Sequence, residues 1–343
     1  MLKRLRSECL IDLDIVTEGS LLIKSGRMFA TGVDMTAVRT IRNGREEVYI
    51  PGSSLKGAIR AQAERIARTL ADPGCCDPFR DLSEYSRRDG ASCSSFLKSL
   101  RDTRGLDALP AEEVYQKSCP ICKLFGSLWQ AGRLAFNDAH VQGINPRVYE
   151  RSNVGIDRRT GGASPGALFE MEVVPPTTRF HTSLYLRNFE LWQLGLLAFV
   201  LRDLEEGVIK LGMGKSRGLG QVRAEVGNIE IRYLGLQPPP TEGAPCQLHG
   251  MRSLEPDTAY GFAAYGTSEA GQHAAATEAR AVPLYGSPTP NDGVRASTDG
   301  YGLRTIYRFT KDNPAQRQHL QSTVAPLWVM YARYHPYSME SAT

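Results

Sequence analysis

Long apolar segments are missing from this sequence, and their absence argues against a membrane protein. The longest apolar run extends from Leu194 to Leu201, far short of the roughly 20 residues that a membrane-spanning helix needs. Near the amino terminus, Asp12 and Asp14 interrupt any apolar core of a secretion signal. We therefore expect a cytoplasmic protein that makes no membrane contact.

The sequence also has little excess charge, since its formal net charge is only +4. This excess is unevenly placed. Residues 1–236 hold 33 basic and 28 acidic side chains, whereas residues 237–343 hold 8 and 9. The hydrophobic content of 41% is ordinary for a soluble chain of one large domain or two. The front part of the chain is therefore expected to meet an anionic partner, such as a nucleic-acid strand.

Four glycines surround a basic cluster between residues 211 and 223, where the sequence is LGMGKSRGLGQVR. Glycine lets backbone amides approach an anion, while Lys215, Ser216 and Arg217 add two positive charges and a hydroxyl group. The segment is not a nucleotide-binding P-loop, because Ile209 stands where that motif requires glycine and a strand pattern follows. We interpret it as a loop that binds a polynucleotide backbone. The alternative is a tight glycine turn with a solvated basic tip.

Five of the seven cysteines fall between residues 75 and 122, and two of them form a CxxC motif. The strand and helix of a thioredoxin-like redox unit are missing around this motif, so structural zinc is the better interpretation. The alternative is a group of free buried thiols. The predicted zinc ligands, with Cys75 as a possible substitute for Cys76, are Cys76, Cys93, Cys119 and Cys122.

Hydrophobic periodicity gives the element order β, α, β, β, α, β, which predicts an α+β fold of the ferredoxin-like, RNA-recognition-motif-like type. The first helix follows a serine turn, and its amino terminus offers unpaired N–H groups to a phosphate. The candidate phosphate ligands there are Ser53, Ser54, Lys56 and Arg60. The alternative is an ordinary serine cap followed by a solvated basic face.

Further predictions concern the remaining segments. We expect a flexible basic loop over 24–45, a mobile loop over 147–162, and an apolar helix over 189–204 that ends at Gly207. A short strand is predicted from Val208 to Leu211. A proline-rich linker over 237–245 precedes a carboxy-terminal extension, 246–343, of unknown role. Its aromatic final stretch is expected to dock on the main domain or on a neighbour.

Four motifs, in this order, resemble those of CRISPR-associated RAMP superfamily proteins: IPGSSLKGAIR at 50–60, CPICKLFGS at 119–127, GIDRRTGGA at 155–163 and GMGKSRGLG at 212–220. The resemblance is closest to the Cas-seven backbone subunits of type III, and specifically III-D-like, effector complexes. It implies a palm domain over 1–236, with a zinc-binding insertion over 72–125 and a thumb hairpin over about 141–179. It also implies polymerisation along crRNA, beside further copies of the chain and other CRISPR effector subunits, and binding of complementary target RNA.

The resemblance also implies roles for single residues. Asp34 matches the aspartate with which many type III subunits cleave target RNA as metal-dependent endoribonucleases, using Mg²⁺ or Mn²⁺. The usual glycine pair before this aspartate is missing here. The residues expected to contact RNA are Lys24, Arg27, Ser53, Ser54, Lys56, Arg60, Asn153, Asp157, Arg158, Arg159, Lys215, Ser216 and Arg217.

Two other functions remain open at the level of sequence. One is a catalytically inactive backbone subunit whose partner nuclease performs the cleavage. The other is a guide-processing endoribonuclease with a histidine base. That enzyme requires a histidine near the glycine loop or the first helix, and none of the six histidines lies in either motif.

Overall fold

The computed structural model describes residues 4–26, 33–71, 74–86, 89–236, 239–254, 282–283 and 293–334. Its strands are β1 (Ser7–Thr17), β2 (Arg39–Arg42), β3 (Arg45–Ile50), β4 (Gly126–Ser127), β5 (Gln130–Ala131), β6 (Leu134–Phe136), β7 (Ala139–Val141), β8 (Tyr149–Ile156), β9 (Ala163–Val173), β10 (Arg179–Arg187), β11 (Val222–Leu234), β12 (Gln247–Leu248), β13 (Val282–Pro283), β14 (Ser297–Thr298) and β15 (Arg304–Phe309). Its helices are α1 (Gly52–Leu70), α2 (Cys93–Thr103), α3 (Ala111–Lys117), α4 (Pro120–Phe125), α5 (Leu191–Glu205), α6 (Met251–Leu254) and α7 (Pro314–Tyr334).

Nine of the described strands form one sheet in the order β14-β15-β11-β1-β10-β7-β3-β2, with β6 pairing on β10. Strand β1 lies between β10 and β11, and both pairings are antiparallel. Helix α1 follows β1 and the β2–β3 hairpin, and α5 connects β10 to β11. This arrangement combines helices with an antiparallel sheet and is compatible with the predicted ferredoxin-like palm.

Side chains along β1 alternate between the two faces of the sheet. Cys9, Ile11, Leu13 and Ile15 lie in the core, whereas the residues between them are half-buried on the opposite face. Helices α1 and α5 cover the apolar face together with α7. Because α5 lies between the sheet and α7, it is apolar on nearly all sides.

The apolar helix predicted before Gly207 is confirmed as α5, and Gly207 follows it with a φ of 72°. In the described parts of the chain, no helix is both long and apolar enough to cross a bilayer.

Two segments predicted as loops contain strands. Strand β2 lies within the predicted basic loop 24–45, and β8 lies within the predicted mobile loop 147–162. Strand β8 is polar and gains its order from antiparallel pairing with β9, which local composition does not reveal. Together β8 and β9 form a two-stranded hairpin with its own sheet.

The prediction of a strand from Val208 to Leu211 is wrong. Only an isolated bridge joins Lys210 to Gln221, and Val208 is exposed. Gly207 and Gly212, which flank the segment, both have positive φ, so the chain turns at each end of it.

Part of the carboxy-terminal segment belongs to the same sheet and core. Strand β15 pairs with β11, and Tyr331 of α7 stacks on Trp192 of α5 with ring centroids 4.0 Å apart. Most of the segment 246–300 lies outside the described residues.

Candidate functional site

The glycine loop, residues 212–220, is tightly folded. Its four glycines have φ between 68° and 82°, a region that other residues rarely adopt. A Cβ atom on Gly220 would lie 2.0 Å from the carbonyl oxygen of Leu211, and one on Gly212 would lie 2.2 Å from that of Leu22. Between them Lys215, Ser216 and Arg217 form one 3₁₀ turn with exposed side chains.

The glycine loop lies against the segment that follows β1. The N–H of Met213 donates to the carbonyl of Leu22, and the N–H of Gly220 donates to that of Ser20, both at 2.8 Å. Lys24 follows two residues after Leu22 and is also exposed. The glycine loop and the basic segment after β1 therefore form one continuous surface. Arg27, predicted to belong to it, lies outside the described residues.

Asp34 belongs to this surface through the β8–β9 hairpin. It is exposed, and its Oδ2 atom accepts a hydrogen bond of 2.8 Å from the backbone N–H of Glu170. The next residue, Met35, pairs with Met171 in a short parallel bridge. Asp34 is thus held on the inner part of β9 by both its side chain and the backbone beside it.

An ion pair adds a second link between this segment and the hairpin. Arg39 donates two hydrogen bonds, of 2.8 and 3.1 Å, to the carboxylate of Glu172, which also accepts from the N–H of Ala37. Burial acts to raise the pKa of Glu172, but these hydrogen bonds outweigh it and hold the pKa below its ordinary value.

The hairpin also contacts the glycine loop and the segment after β1. The guanidinium of Arg217 lies over the Phe169 ring, 5.6 Å from its centroid. The hydroxyls of Tyr149 and Ser20 are 2.5 Å apart. The base of the hairpin therefore lies between Asp34 and the basic turn.

At the hairpin tip, Asp157 has a structural role. Its Oδ1 atom accepts hydrogen bonds from the N–H groups of Arg159 and Thr160, which closes the turn. Arg158 and Arg159 are exposed there, whereas Asn153 lies along β8 and donates to the carbonyl of Arg151. The arginines remain available to an anionic strand, and the Asp157 carboxylate is engaged by the turn.

The amino terminus of α1 forms a separate patch. The N–H of Gly52 donates to Oδ1 of Asp138 at 2.7 Å, so a carboxylate already occupies that donor. Ser53 is exposed, and Ser54 and Lys56 are half-buried. Neither serine is the capping residue, because the helix begins after Pro51 and no side chain caps it.

The sheet register shows that this patch is remote from the glycine loop. Asn137, beside Asp138, donates a hydrogen bond to Ser183, and Ser183 is the register partner of Asp12 on β1. Val222, which follows the glycine loop, is the register partner of Thr17 on the same strand. Five residues of β1 separate the two levels, or about 16 Å along the strand. The predicted phosphate ligands at the start of α1 and those in the glycine loop therefore form two separate patches.

Arg60 faces the thiol of Cys122. Its Nε atom donates to Glu64 at 3.0 Å, and its Nη2 atom lies 3.8 Å from the Sγ atom of Cys122. Its third contact is the carbonyl of Gly126, at 3.3 Å. With these partners Arg60 is directed to the interior, and the structure does not group it with Ser53 and Lys56.

The four predicted zinc ligands converge. The Sγ atoms of Cys76, Cys93, Cys119 and Cys122 lie within 4.8 Å of one another, and all four residues are buried. Cys76 Sγ is 3.6 Å from both Cys119 Sγ and Cys122 Sγ. A tetrahedral zinc site with Zn–S bonds of about 2.3 Å requires sulfur separations of about 3.8 Å. The Cys75 thiol instead points to the carbonyl of Glu64, at 3.9 Å.

This cluster, called the cysteine cluster below, needs a cation to ionise. Burial raises the pKa of Cys119, and hydrogen bonds with neighbouring thiols, above all Cys119, raise that of Cys122. A divalent metal reverses this effect, because thiolates bind it directly. The residues present therefore fit a metal such as zinc.

A buried polar group beside the cysteine cluster has no counterpart among the sequence predictions. Lys123 is fully buried, its Nζ atom is 3.3 Å from the hydroxyl of Tyr331, and burial lowers its pKa to about 8. Arg133 lies over the ring of Tyr115, whose hydroxyl donates to Glu190 at 2.7 Å. The one signal in the sequence is a lysine within the apolar stretch CPICKLF.

Comparison with known proteins identifies the family. A sequence profile of the RAMP superfamily matches residues 14–223. The chain belongs to the RAMP superfamily. This confirms the superfamily resemblance seen in the four motifs. One chain in a solved structure described as a Type IV-B CRISPR complex is 20% identical to this chain. The superposed region covers 68% of this chain and 95% of that chain, with a TM-score of 0.43. No curated protein matches the sequence.

All the predicted site residues lie within the RAMP match, and the structure divides those that it describes, which exclude Arg27, into four places. The hairpin base brings together Asp34, the glycine loop and the segment with Lys24. The hairpin tip, with the adjoining part of β8, is the second place and carries Asn153, Asp157, Arg158 and Arg159. The amino terminus of α1 is the third place, and the cysteine cluster, with Arg60, is the fourth.

Proposed function

We propose that this RAMP protein is a guide-RNA-binding backbone subunit of a type III-like CRISPR ribonucleoprotein. The observation that carries the proposal is the surface around the hairpin base, where Lys24, Lys215 and Arg217 are exposed beside Asp34. Further copies of the chain and other effector subunits would be its protein partners. Complementary target RNA would pair with the guide on this surface.

The glycine loop suits phosphate contacts without base recognition. Its tight backbone keeps Lys215, Ser216 and Arg217 on one short turn, which presents two charges and a hydroxyl close together on the surface. Such groups bind phosphate oxygens equally well on any sequence. We therefore propose that the glycine loop grips the guide backbone.

The β8–β9 hairpin is proposed as the thumb that interrupts the guide–target duplex. Its side chains include an exposed cross-strand pair, Val154 and Leu168, and the exposed Ile156. Branched apolar side chains act as wedges between bases, and Arg158 and Arg159 at the tip would meet phosphates. Both properties fit a hairpin inserted between nucleotides.

The cysteine cluster is proposed to hold a structural Zn²⁺ ion. Helices α2 and α3 beside it share only a small core of their own, formed by Leu97, Leu100, Leu109 and Val114. Such a core stabilises little by itself, so a metal that joins Cys76, Cys93 and the CxxC turn would fix the insertion. Arg60 and Lys123 would offset the negative charge of four thiolates.

Asp34 is proposed to support cleavage of the target. One of its carboxylate oxygens is anchored by Glu170, and the other has no hydrogen-bond partner among the described residues. That oxygen would contribute one ligand to Mg²⁺ or Mn²⁺, and the bound cation would supply charge neutralisation at a phosphate under in-line attack by a 2′-hydroxyl. The role of Asp34 would be to position the cation, and the hairpin holds Asp34 in place.

The test is reconstitution of the chain with guide RNA and its partner subunits. Guide and complementary target carry different labels, and each is followed with Mg²⁺, with Mn²⁺ and with EDTA. We expect the target to be cut only with a divalent cation and the guide to remain intact. An assembled complex that never cuts target would favour an inactive backbone subunit with a partner nuclease. Cleavage of the guide would favour a processing enzyme.

A further inference from the structure

Two histidines lie side by side on the face of the sheet opposite the core. His140 of β7 and His181 of β10 are direct register partners. Tyr49 of β3 is opposite His140, and Asp14 of β1 is opposite His181. Cross-strand partners share one face of a sheet, so these side chains form a single row across four strands.

Each histidine is held by a carboxylate on its outer side. His140 Nδ1 is 2.7 Å from Oε1 of Glu47 on β3, and His181 Nδ1 is 2.7 Å from Oδ1 of Asp14 on β1. The sheet order β1-β10-β7-β3 therefore gives the sequence carboxylate, imidazole, imidazole, carboxylate.

The carboxylates are themselves fixed by cations. Arg179 donates to Oδ2 of Asp14 at 3.2 Å and also pairs with Glu225. Arg42 lies 3.8 Å from Glu47. These ion pairs hold Asp14 and Glu47 in place as acceptors, which fixes the orientation of both rings. Stacking of Tyr49 on His140, with ring planes inclined by 16°, adds to this effect.

The Nε2 atoms are left without partners in the described part of the chain. Because Nδ1 and Nε2 lie on different edges of the imidazole ring, a bond from Nδ1 to an outer carboxylate turns Nε2 towards the space between the two rings. That space is part of an open groove of about 530 Å³, which is also lined by Asn137 and Gln142.

We propose that His140 and His181 bind a divalent transition-metal ion through their Nε2 atoms. A ligating histidine nearly always donates its other N–H to a carboxylate or carbonyl, which is the arrangement of both residues here. Neutral imidazole favours Ni²⁺, Cu²⁺ and Zn²⁺ over Mg²⁺. The site is independent of the cysteine cluster and of the proposed RNA binding.

Two protein ligands leave coordination positions open. Among the described residues, only the cysteine cluster brings three or more metal-ligand atoms together. The two histidines therefore have no third side chain beside them to act as a metal ligand. Water would fill the remaining positions in the groove. The groups that face the pair from neighbouring strands are Arg42, Asp138, Arg179 and Glu225, two basic and two acidic, so the groove does not repel a cation strongly.

The test is a Ni²⁺ titration, monitored by calorimetry, of the full chain loaded with a single equivalent of Zn²⁺, which the four thiolates of the cysteine cluster bind in preference to two imidazoles. One further equivalent of Ni²⁺ is expected to bind. His140→Ala and His181→Ala should each weaken it at least tenfold, and His319→Ala, on α7, should leave it unchanged. Asp14→Asn and Glu47→Gln keep both imidazoles and should weaken binding by roughly 10- to 100-fold.

A spectroscopic readout separates ligation from general stabilisation. In long-range ¹H–¹⁵N spectra of the imidazoles, Zn²⁺ or Ni²⁺ should perturb Nε2 of His140 and His181 and leave the other histidines unchanged. The proposal is overturned if no saturable Ni²⁺ equivalent appears, or if the double variant His140→Ala, His181→Ala binds it as tightly as the original chain. Thermal unfolding of every variant verifies that the sheet remains folded.

Discussion

The carboxylate of Asp34 accepts a hydrogen bond of 2.8 Å from the backbone N–H of Glu170, which fastens the segment after β1 to the β8–β9 hairpin. This contact is possible for a neutral amide oxygen as well as for a carboxylate oxygen. Position and charge of residue 34 can therefore be tested separately.

Asp34→Asn should keep the bond to Glu170 and lose the negative charge that holds a cation. We expect target cleavage to fall at least about 100-fold, while target binding stays equal or becomes slightly tighter, because repulsion of phosphates is removed. Asp34→Ala should lose cleavage and also loosen the hairpin contact. Gel assays of labelled target measure the rates, with Asp102→Asn in the insertion as control. Cleavage by Asp34→Asn at the original rate would contradict the assignment.

The ion pair between Arg39 and Glu172 should make this contact pH-dependent. The pKa of Glu172 in the folded chain lies below its ordinary value of 4.5. Its stabilisation is therefore fully present above pH 4.5 and is lost as the pH falls through the lower folded value. Glu172→Gln should reduce the free energy of unfolding by about 1 kcal/mol at pH 7, and the difference should shrink as the pH falls below the ordinary value of 4.5.

Urea unfolding at pH 7 and at pH 3 checks this prediction. Glu206→Gln is the control, because its ion pair with Arg202 is long, at 3.9 Å, and exposed. An equal effect of Glu172→Gln at both pH values would show that the carboxylate charge contributes nothing.

The glycine loop should tolerate a methyl group at one position and not at another. Gly218 and Gly220 have nearly equal φ, 82° and 81°, but only Gly220 has no room for a Cβ atom. Gly218→Ala should cost about 1 kcal/mol for its left-handed backbone. Gly220→Ala should cost at least about 3 kcal/mol, because the clash with Leu211 adds to this. Denaturant unfolding measures both, and equal costs would refute the packing argument.

The cysteine cluster should contain about one equivalent of zinc in protein purified without chelators. Cys76→Ser should lose the metal and disorder the insertion locally while the sheet stays folded. Cys75→Ser is a matched control, because the thiol of Cys75 lies outside the cluster and contacts the carbonyl of Glu64 instead. Elemental analysis and hydrogen exchange report the two effects. Retention of zinc by Cys76→Ser, or its loss in Cys75→Ser, would contradict the ligand set.

Some of this site is visible in sequence because its signals are local. The CxxC turn fixes two of the four sulfurs by its spacing, and Gly207 marks the end of α5. The positive φ values of the glycine loop follow equally from its composition. Such features depend on residues a few positions apart, and the structure agrees with them.

Other features depend on contacts between distant residues. Arg60 follows Ser53, Ser54 and Lys56 in the same helix, but the direction of its side chain is set by Glu64 and Cys122. His140 and His181 meet only because β7 and β10 are neighbours. Strand β8 is ordered by its pairing with β9. Tyr331 stacks on Trp192, from which it is separated by more than a hundred residues of sequence. No local pattern determines such pairings.

The salt dependence of guide-RNA affinity tests the central claim most directly. Removing one charged side chain that binds a phosphate of single-stranded RNA lowers the slope of log K against log[salt] by about 0.7. Replacing Lys215 and Arg217 by alanine should therefore weaken binding and flatten the slope by about 1.4, with little dependence on RNA sequence. The control, Lys98→Ala with Arg104→Ala in the insertion, should change neither quantity. A Lys215→Ala, Arg217→Ala variant with unchanged affinity and slope would contradict the account.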